Sequence, residues 1–180
     1  AARDLSATFF VLGLAALDYP DWVRRIAAEG HEVGTHGWAH TAIYQQTYDA
    51  FRAELCRSLE TLSQLTRCPV RGHRAAMFSI TANSLWALDE LAAVGLAYDS
   101  SIFPVHNYRY GIPDAQRFPY RVGPRGGLWE LPVATARVAG LNVPVGGGFY
   151  ARFWPYALLK HAIQSLNAQG QPAVVYFHPW

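Results

Sequence analysis

The chain has 180 residues, of which 51% are apolar, 14% aromatic and 16% charged, and its formal net charge is +2. This composition excludes intrinsic disorder, which requires low hydrophobicity together with high net charge. The charges are interspersed, so we expect neither a nucleic acid nor an anionic membrane as a partner, and the length predicts one domain.

The first half of the chain alternates short apolar runs with amphipathic segments, which predicts alternating strands and helices. We assign Asp18 and Thr81 as N-caps of the first and third of these helices, because each immediately precedes a helical pattern. The predicted strands are 6–13, 31–34, a short strand that residues 69–70 lead into, and 96–99. The predicted helices are 19–30, 47–65 and 81–95.

The second half opens with a long, aromatic-rich loop at 103–127, a length usually kept for function. A strand at 128–133, a glycine loop at 144–149, a helix at 155–167 and a buried strand at 173–177 follow. This alternation predicts an α/β fold with a parallel sheet.

Five polar residues come directly after predicted strands: His36, Arg74, Asp99, Glu130 and His178. The carboxyl ends of parallel strands form the active face of β/α barrels. Five strands that each place a polar residue at this same end therefore predict an enzyme.

His36 and His40 form an H-x-x-x-H pair, and on one helical turn two imidazoles can bind one ion. The Glu of the HExxH protease motif is absent, which excludes that motif. A zinc-type site would add a carboxylate, for which Asp99 is a candidate, and a water whose pKa the metal lowers. Two surface or capping histidines remain the alternative interpretation.

The other strand-end residues each have a structural alternative. Arg74 could bind a carboxylate or substrate anion, or be a solvated surface arginine. His178 could be a core histidine, Asp99 and Glu130 could be surface or capping residues, and His73 stays undecided.

The two cysteines, Cys56 and Cys68, are interpreted as free and mostly buried thiols, which favours a reducing compartment. The localisation stays open between cytoplasmic and exported, with the cytoplasm favoured. The chain opens on Ala1 and contains one methionine, Met77. We therefore expect a single domain over 1–180 that is truncated at both ends.

Five ordered motifs resemble the polysaccharide deacetylase family, the NodB-homology domain of carbohydrate esterases. They are Thr8-Phe9-Phe10, His36-Gly37-Trp38-Ala39-His40, Arg74-Ala75-Ala76-Met77, Tyr98-Asp99-Ser100-Ser101 and Phe177-His178-Pro179. The finer patterns DSSIFP, RYGIP, LWELPV and PVGGGFY are similar to deacetylases of bacterial exopolysaccharide loci associated with exosortase sorting. The resemblance implies an irregular β/α barrel whose first strand is missing here.

The resemblance also implies roles for individual residues. His36 and His40 would bind a divalent metal, zinc in the first place, with cobalt or manganese as alternatives. His178 would protonate the leaving amine, Asp99 would pair with His178, and Arg74 would orient the catalytic base. The reaction would remove N-acetyl groups from the sugars of a bacterial polysaccharide.

The substrate contacts that the resemblance implies lie along the loops. A backbone N–H near Met77 would help to hold the oxyanion. The rings of Trp38, Tyr110, Phe149 and Trp180 could stack on sugars, although core packing is the alternative for each.

Two departures from the family pattern affect the expected activity. The family's Asp pair, which supplies a metal ligand and the base, would precede Ala1, so we expect weak metal affinity and no activity from the 180 residues alone. Ala75, Ala76 and Met77 stand where proline and an aromatic are expected. The alternatives are therefore an inactive carbohydrate-binding relative and an amide hydrolase of small molecules.

Overall fold

The structure, a computed structural model, describes residues 5–178 apart from the side chain of Arg125. Asp4, Pro179 and Trp180 lie outside the described residues. The strands are β1 (Thr8–Val11), β2 (Glu32–Thr35), β3 (Gly72–His73), β4 (Tyr98–Asp99), β5 (Tyr120–Val122), β6 (Leu128–Glu130), β7 (Thr135–Val138) and β8 (Leu141–Pro144). The α-helices are α1 (Gly13–Asp18), α2 (Pro20–Ala28), α3 (Tyr48–Thr66), α4 (Trp86–Ala93), α5 (Gly148–Phe153) and α6 (Tyr156–Ala168).

Six strands form one sheet in the order β1-β2-β3-β4-β6-β5. Neighbours from β1 through β4 to β6 pair in parallel, and β5 pairs antiparallel with β6. Strands β7 and β8 form a separate antiparallel hairpin. The predicted α/β class with a parallel sheet is confirmed.

Helix α3 packs one apolar face on the sheet, as its sequence periodicity predicts. Thr47 caps its N-terminus by accepting a hydrogen bond from the Ala50 N–H. Phe51, Leu55 and Leu62 are buried on the inner face. Part of the main core joins this face to α4 and to the buried Leu128 of β6.

The predicted caps have different outcomes. Thr81 forms a capping box with Ser84, in a 3₁₀ turn that leads into α4. Asp18 is wrong as an N-cap, because it is the last residue of α1, a helix that the sequence analysis missed. Tyr19 is the N-cap of α2 and makes no side-chain capping bond, and Pro20 begins the helix.

Helix α1 begins directly after β1 because Gly13, which has no side chain, lets the backbone lie close to the ring of Trp38. A Cβ at Gly13 would overlap the ring of Trp38. Gly13, which the sequence pattern predicts as the end of a strand, is therefore the first residue of a helix that packs against Trp38.

The local sequence pattern does not predict the β7–β8 hairpin. Its turn residues, Ala139 and Gly140, both have positive φ, of 48° and 82°. Such turns usually carry Asn-Gly or Asp-Gly, so Ala139 gave a weak hairpin signal.

The predicted buried strand at 173–177 is wrong in its burial and its pairing. Within the described residues only Tyr176 forms a bridge there, parallel to Gly147. Val175 and Phe177 are exposed, because a short apolar run does not by itself specify two covered faces.

Cys56 and Cys68 are free, as expected, but both are exposed rather than buried. Cys56 lies on the outer face of α3, and Cys68 follows its C-terminus. Among residues 5–178, no helix combines the length and the hydrophobicity that a membrane crossing needs.

Candidate functional site

The strand-end residues fall on two faces of the sheet instead of one. The register aligns Thr35, His73, Asp99 and Glu130 in a single row across β2, β3, β4 and β6. Successive residues of a strand point to opposite faces. His36, Arg74 and Ser100, each one position later, therefore belong to the other face.

Contacts on each face agree with this division. The His73 ring meets Phe51 of α3 edge-on, with 6.2 Å between ring centroids. The Arg74 guanidinium instead lies over Phe10, 4.5 Å from the ring centroid, on the opposite side of the sheet. The alternation therefore places His36 and Arg74 on one face of the sheet and Asp99 and Glu130 on the other.

His36 is oriented by the main chain of Arg74. Its Nδ1 lies 2.7 Å from the Arg74 carbonyl oxygen. A carbonyl only accepts, so Nδ1 carries the proton, and Nε2 of the neutral ring keeps its lone pair. Burial lowers the pKa of His36 to about 4, although the bond to Arg74 raises it, so the ring is neutral near pH 7. Such a ring is prepared to act as a ligand.

His40 lies beside His36 although the segment between them is not helical. The two ring centroids are 5.2 Å apart. Gly37 and His40 have positive φ, of 83° and 59°, which turns the loop back on itself. The predicted proximity is confirmed, but the helical turn invoked for it is wrong.

This pair fits part of a metal site. Two neighbouring imidazoles are typical ligands of zinc and related ions. Between residues 5 and 178, however, no three His, Cys, Asp or Glu side chains come together as a metal-binding group. The described residues therefore offer two nitrogen ligands.

Arg74 is held within the fold and is not a solvated surface residue. Its Nε donates to the Ser100 carbonyl over 2.9 Å, and its Nη2 donates to Ser100 Oγ over 2.6 Å. The rings of Phe78 and Tyr176 lie 5.6 and 5.7 Å from the guanidinium carbon. Burial lowers the pKa of Arg74 from its usual value.

Asp99 pairs with His73, a residue whose role the sequence left undecided. His73 Nδ1 lies 2.6 Å from Asp99 Oδ1, and both side chains are buried. Although burial alone would raise the pKa of Asp99, the His73 bond and charge hold it below its usual value. The expected pairing of Asp99 with His178 is therefore replaced by one with His73. His178 is exposed, and its ring meets Tyr176 edge-on at 5.8 Å.

Glu130 completes the buried row. Its Oε1 accepts a hydrogen bond from the Ile102 N–H over 3.0 Å. Burial and the neighbouring charge of Asp99 raise the pKa of Glu130 well above its usual value. Two adjacent buried carboxylates disfavour joint ionisation, so Glu130, whose pKa is raised while that of Asp99 is lowered, is the member whose protonated form is favoured.

The loop after Arg74 is a 3₁₀ turn over Ala76–Phe78. Met77 and Phe78 have positive φ, of 56° and 51°. Within the part of the chain that the structure describes, the Met77 N–H donates to no other residue. It is therefore a free donor close to the strand-end face that carries Arg74.

The candidate sugar-stacking rings differ in exposure. Trp38 is only 6% exposed, and the Arg57 guanidinium lies over it at 3.8 Å, so its face is not open to a sugar. Tyr110 is half-buried, and its hydroxyl lies 3.2 Å from that of Tyr150. Phe149, at 71% exposure, is the one of these three that is open to solvent.

The fold and the paired histidines define a class, an α/β protein whose candidate site lies at the carboxyl ends of parallel strands. The family of polysaccharide deacetylases matches residues 1–96, and a domain of unknown function, DUF3473, matches residues 100–180. The chain belongs to the polysaccharide deacetylase family.

Individual relatives agree with this membership. A peptidoglycan-N-acetylglucosamine deacetylase of Bacillus cereus is 33% identical over 89 residues, covering 49% of this chain and 32% of the relative. A chitooligosaccharide deacetylase of Rhizobium leguminosarum is 33% identical over 106 residues, covering 59% of this chain and 45% of the relative. A solved structure of a candidate polysaccharide deacetylase from Mycobacterium smegmatis superposes with a TM-score of 0.67 and 26% identity, covering 96% of this chain and 58% of that one. The chain thus spans well under two thirds of these relatives.

Proposed function

We propose that this chain is part of a metal-dependent N-deacetylase that hydrolyses N-acetyl groups on the sugars of a bacterial exopolysaccharide. The observation that carries the proposal is the His36–His40 pair, in which the Arg74 carbonyl fixes the His36 tautomer with Nε2 unprotonated. The two relatives above, by name, act on N-acetylglucosamine in peptidoglycan and on chitooligosaccharides.

His36 and His40 would hold the metal, with zinc as the ion that we propose and cobalt or manganese as substitutes. When bound, such an ion lowers the pKa of water and polarises a carbonyl. The low pKa of His36 favours this role, because a neutral imidazole needs no deprotonation before it binds a metal.

Arg74 would supply a fixed positive charge next to the histidine pair. Ser100 fixes the guanidinium through two hydrogen bonds, so its position does not depend on substrate. A charge that is already oriented stabilises a neighbouring carboxylate base without the cost of reorganisation.

His178 and Met77 would act at the two ends of the acetamide. His178, which is exposed, would donate a proton to the departing amine, a role that imidazole commonly fills in general acid catalysis. The free Met77 N–H would donate to the oxyanion. Phe149 offers an exposed ring for contact with a sugar.

The proposal is tested by incubating the complete parent protein with N-acetylglucosamine oligomers and zinc and following the free amines by mass spectrometry. Conversion of acetamide to amine supports it. An unchanged glycan that nevertheless binds the protein would support a non-catalytic carbohydrate-binding relative instead. Turnover of small cyclic amides without action on glycans would support the third alternative.

A further inference from the structure

The loop that carries the Met77 N–H is tied to the buried row by one hydroxyl group. Ser101 Oγ lies 2.7 Å from Asp99 Oδ1 and 2.7 Å from the backbone nitrogen of Ala75. Ionised Asp99 only accepts, so the Ser101 proton goes to Asp99 and a lone pair of Oγ receives the Ala75 N–H. Two buried hydrogen bonds thus connect Asp99 through Ser101 to the loop.

This loop needs an external constraint. Met77 and Phe78 both have left-handed backbone conformations. A non-glycine residue in this conformation is strained, and it persists only where the surrounding structure holds it. With alanines at 75 and 76, no proline ring limits the backbone at these two positions, so hydrogen bonds must limit it.

We propose that Ser101 is a positioning residue that holds Ala75–Phe78 so that the Met77 N–H points at the developing oxyanion. The expected effect of Ser101 on catalysis rests on the proposed deacetylase function. The expected effect of Ser101 on the order of the loop rests on the hydrogen bonds alone. Ser101 touches neither substrate nor metal in this account and acts through Ala75.

The backbone at Ala75 provides a sharp test. Its φ of −66° and ψ of 139° are values that proline adopts without strain. In the native protein, Ala75→Pro would remove the N–H and press the ring against Ser101 Oγ. In a Ser101→Ala background the oxygen is gone, and the ring supplies the constraint that the lost hydrogen bond had supplied.

The experiment compares Ser101→Ala, Ala75→Pro and the double variant in the complete parent protein. Thr135→Val is the matched control, because it removes another buried hydroxyl, the acceptor of Arg117 Nε on β7. The measurements are kcat and KM for acetate release, with amide hydrogen exchange at Phe78 and Ser79, whose N–H groups donate to the carbonyls of Ala75 and Ala76. We expect Ser101→Ala to lower kcat by about tenfold or more with little change in KM, and to speed exchange. The double variant should regain most of the lost kcat and most of the lost protection from exchange. The control, Thr135→Val, should change neither kcat nor exchange.

Unchanged kcat and exchange in Ser101→Ala would overturn the inference, and so would a double variant no better than Ser101→Ala. If the parent protein releases no acetate, the proposed function fails, while hydrogen exchange alone still decides whether Ser101 and Ala75→Pro order the loop. Should Ser101→Ala not fold, Ser101→Cys keeps the volume with a weaker acceptor and should show smaller changes in the same directions.

Discussion

His73 and Asp99 form a buried pair across adjacent parallel strands, with 2.6 Å between Nδ1 and Oδ1. The pair lies on the face of the sheet that α3 covers, where the His73 ring contacts Phe51. It therefore stabilises the strand ends from behind the site and takes no direct part in chemistry on the opposite face.

Replacing His73 by Phe should destabilise the fold strongly, because Asp99 would stay buried without its main partner. A buried polar group left without its hydrogen-bond partner typically costs about 1–3 kcal/mol, and more when the group is charged. The free energy of unfolding from urea titration checks this. Arg25→Ala, which breaks an exposed ion pair with Glu29, is the control and should change little. A His73→Phe loss as small as that of the control would contradict the assignment.

Glu130→Gln should flatten the dependence of stability on pH. The folded state raises the pKa of Glu130 above its ordinary 4.5, so it binds more protons than the unfolded chain above that pH. The free energy of unfolding therefore falls as pH rises from about 4.5 toward the raised pKa. Glutamine mimics the protonated carboxyl and does not titrate, so in the variant the free energy of unfolding should not fall for this reason as pH rises. Parallel pH profiles of the two proteins between about pH 5 and 8 would show that Glu130 titrates normally.

Ala76→Pro should stabilise the protein by about 0.4–1 kcal/mol by restricting the unfolded chain. The Ala76 N–H donates to no other described residue, so the substitution removes no hydrogen bond. Ala75, at φ −66° and ψ 139°, already has the conformation that a residue before proline prefers. Thermal unfolding measures the gain. A lower melting temperature would mean that the buried ring does not fit.

His36→Ala and His40→Ala should each weaken cobalt binding by the complete parent protein. Loss of groups that merely orient a ligand costs about 10–100-fold in metal affinity, so loss of a ligand should cost at least as much. Visible absorption during cobalt titration reports the binding. His161→Ala, on the exposed side of α6, is the control. Equal affinity in all three variants would place the metal elsewhere.

The sequence predicted the parallel sheet and the long helix α3 because their signals are local and repeated. Helix α3 was bounded to within one residue at each end, since Thr47 is a standard N-cap and its apolar residues recur at helical spacing. Helix α1 escaped notice because six residues carry too little periodicity to separate a helix from an apolar strand.

The sequence predicts which residues end the strands but not the face to which each of them points, and this limit has a physical cause. A residue at the end of a strand is visible in sequence, but the face to which it points depends on register, and a shift of one residue reverses it. Asp99 and Ser100 are adjacent in sequence and face opposite sides of the sheet. The same ambiguity hid His73, whose position directly before Arg74 marks it as the neighbour on the other face.

The central claim, metal-dependent deacetylation through the His36–His40 pair, is tested most directly by one measurement. Acetate release from N-acetylglucosamine oligomers is followed for the complete parent protein as purified, after chelation and after zinc is restored. The account predicts release that chelation abolishes and zinc restores, and that His36→Ala lacks throughout. Release that survives chelation, or that His36→Ala retains in full, would contradict it.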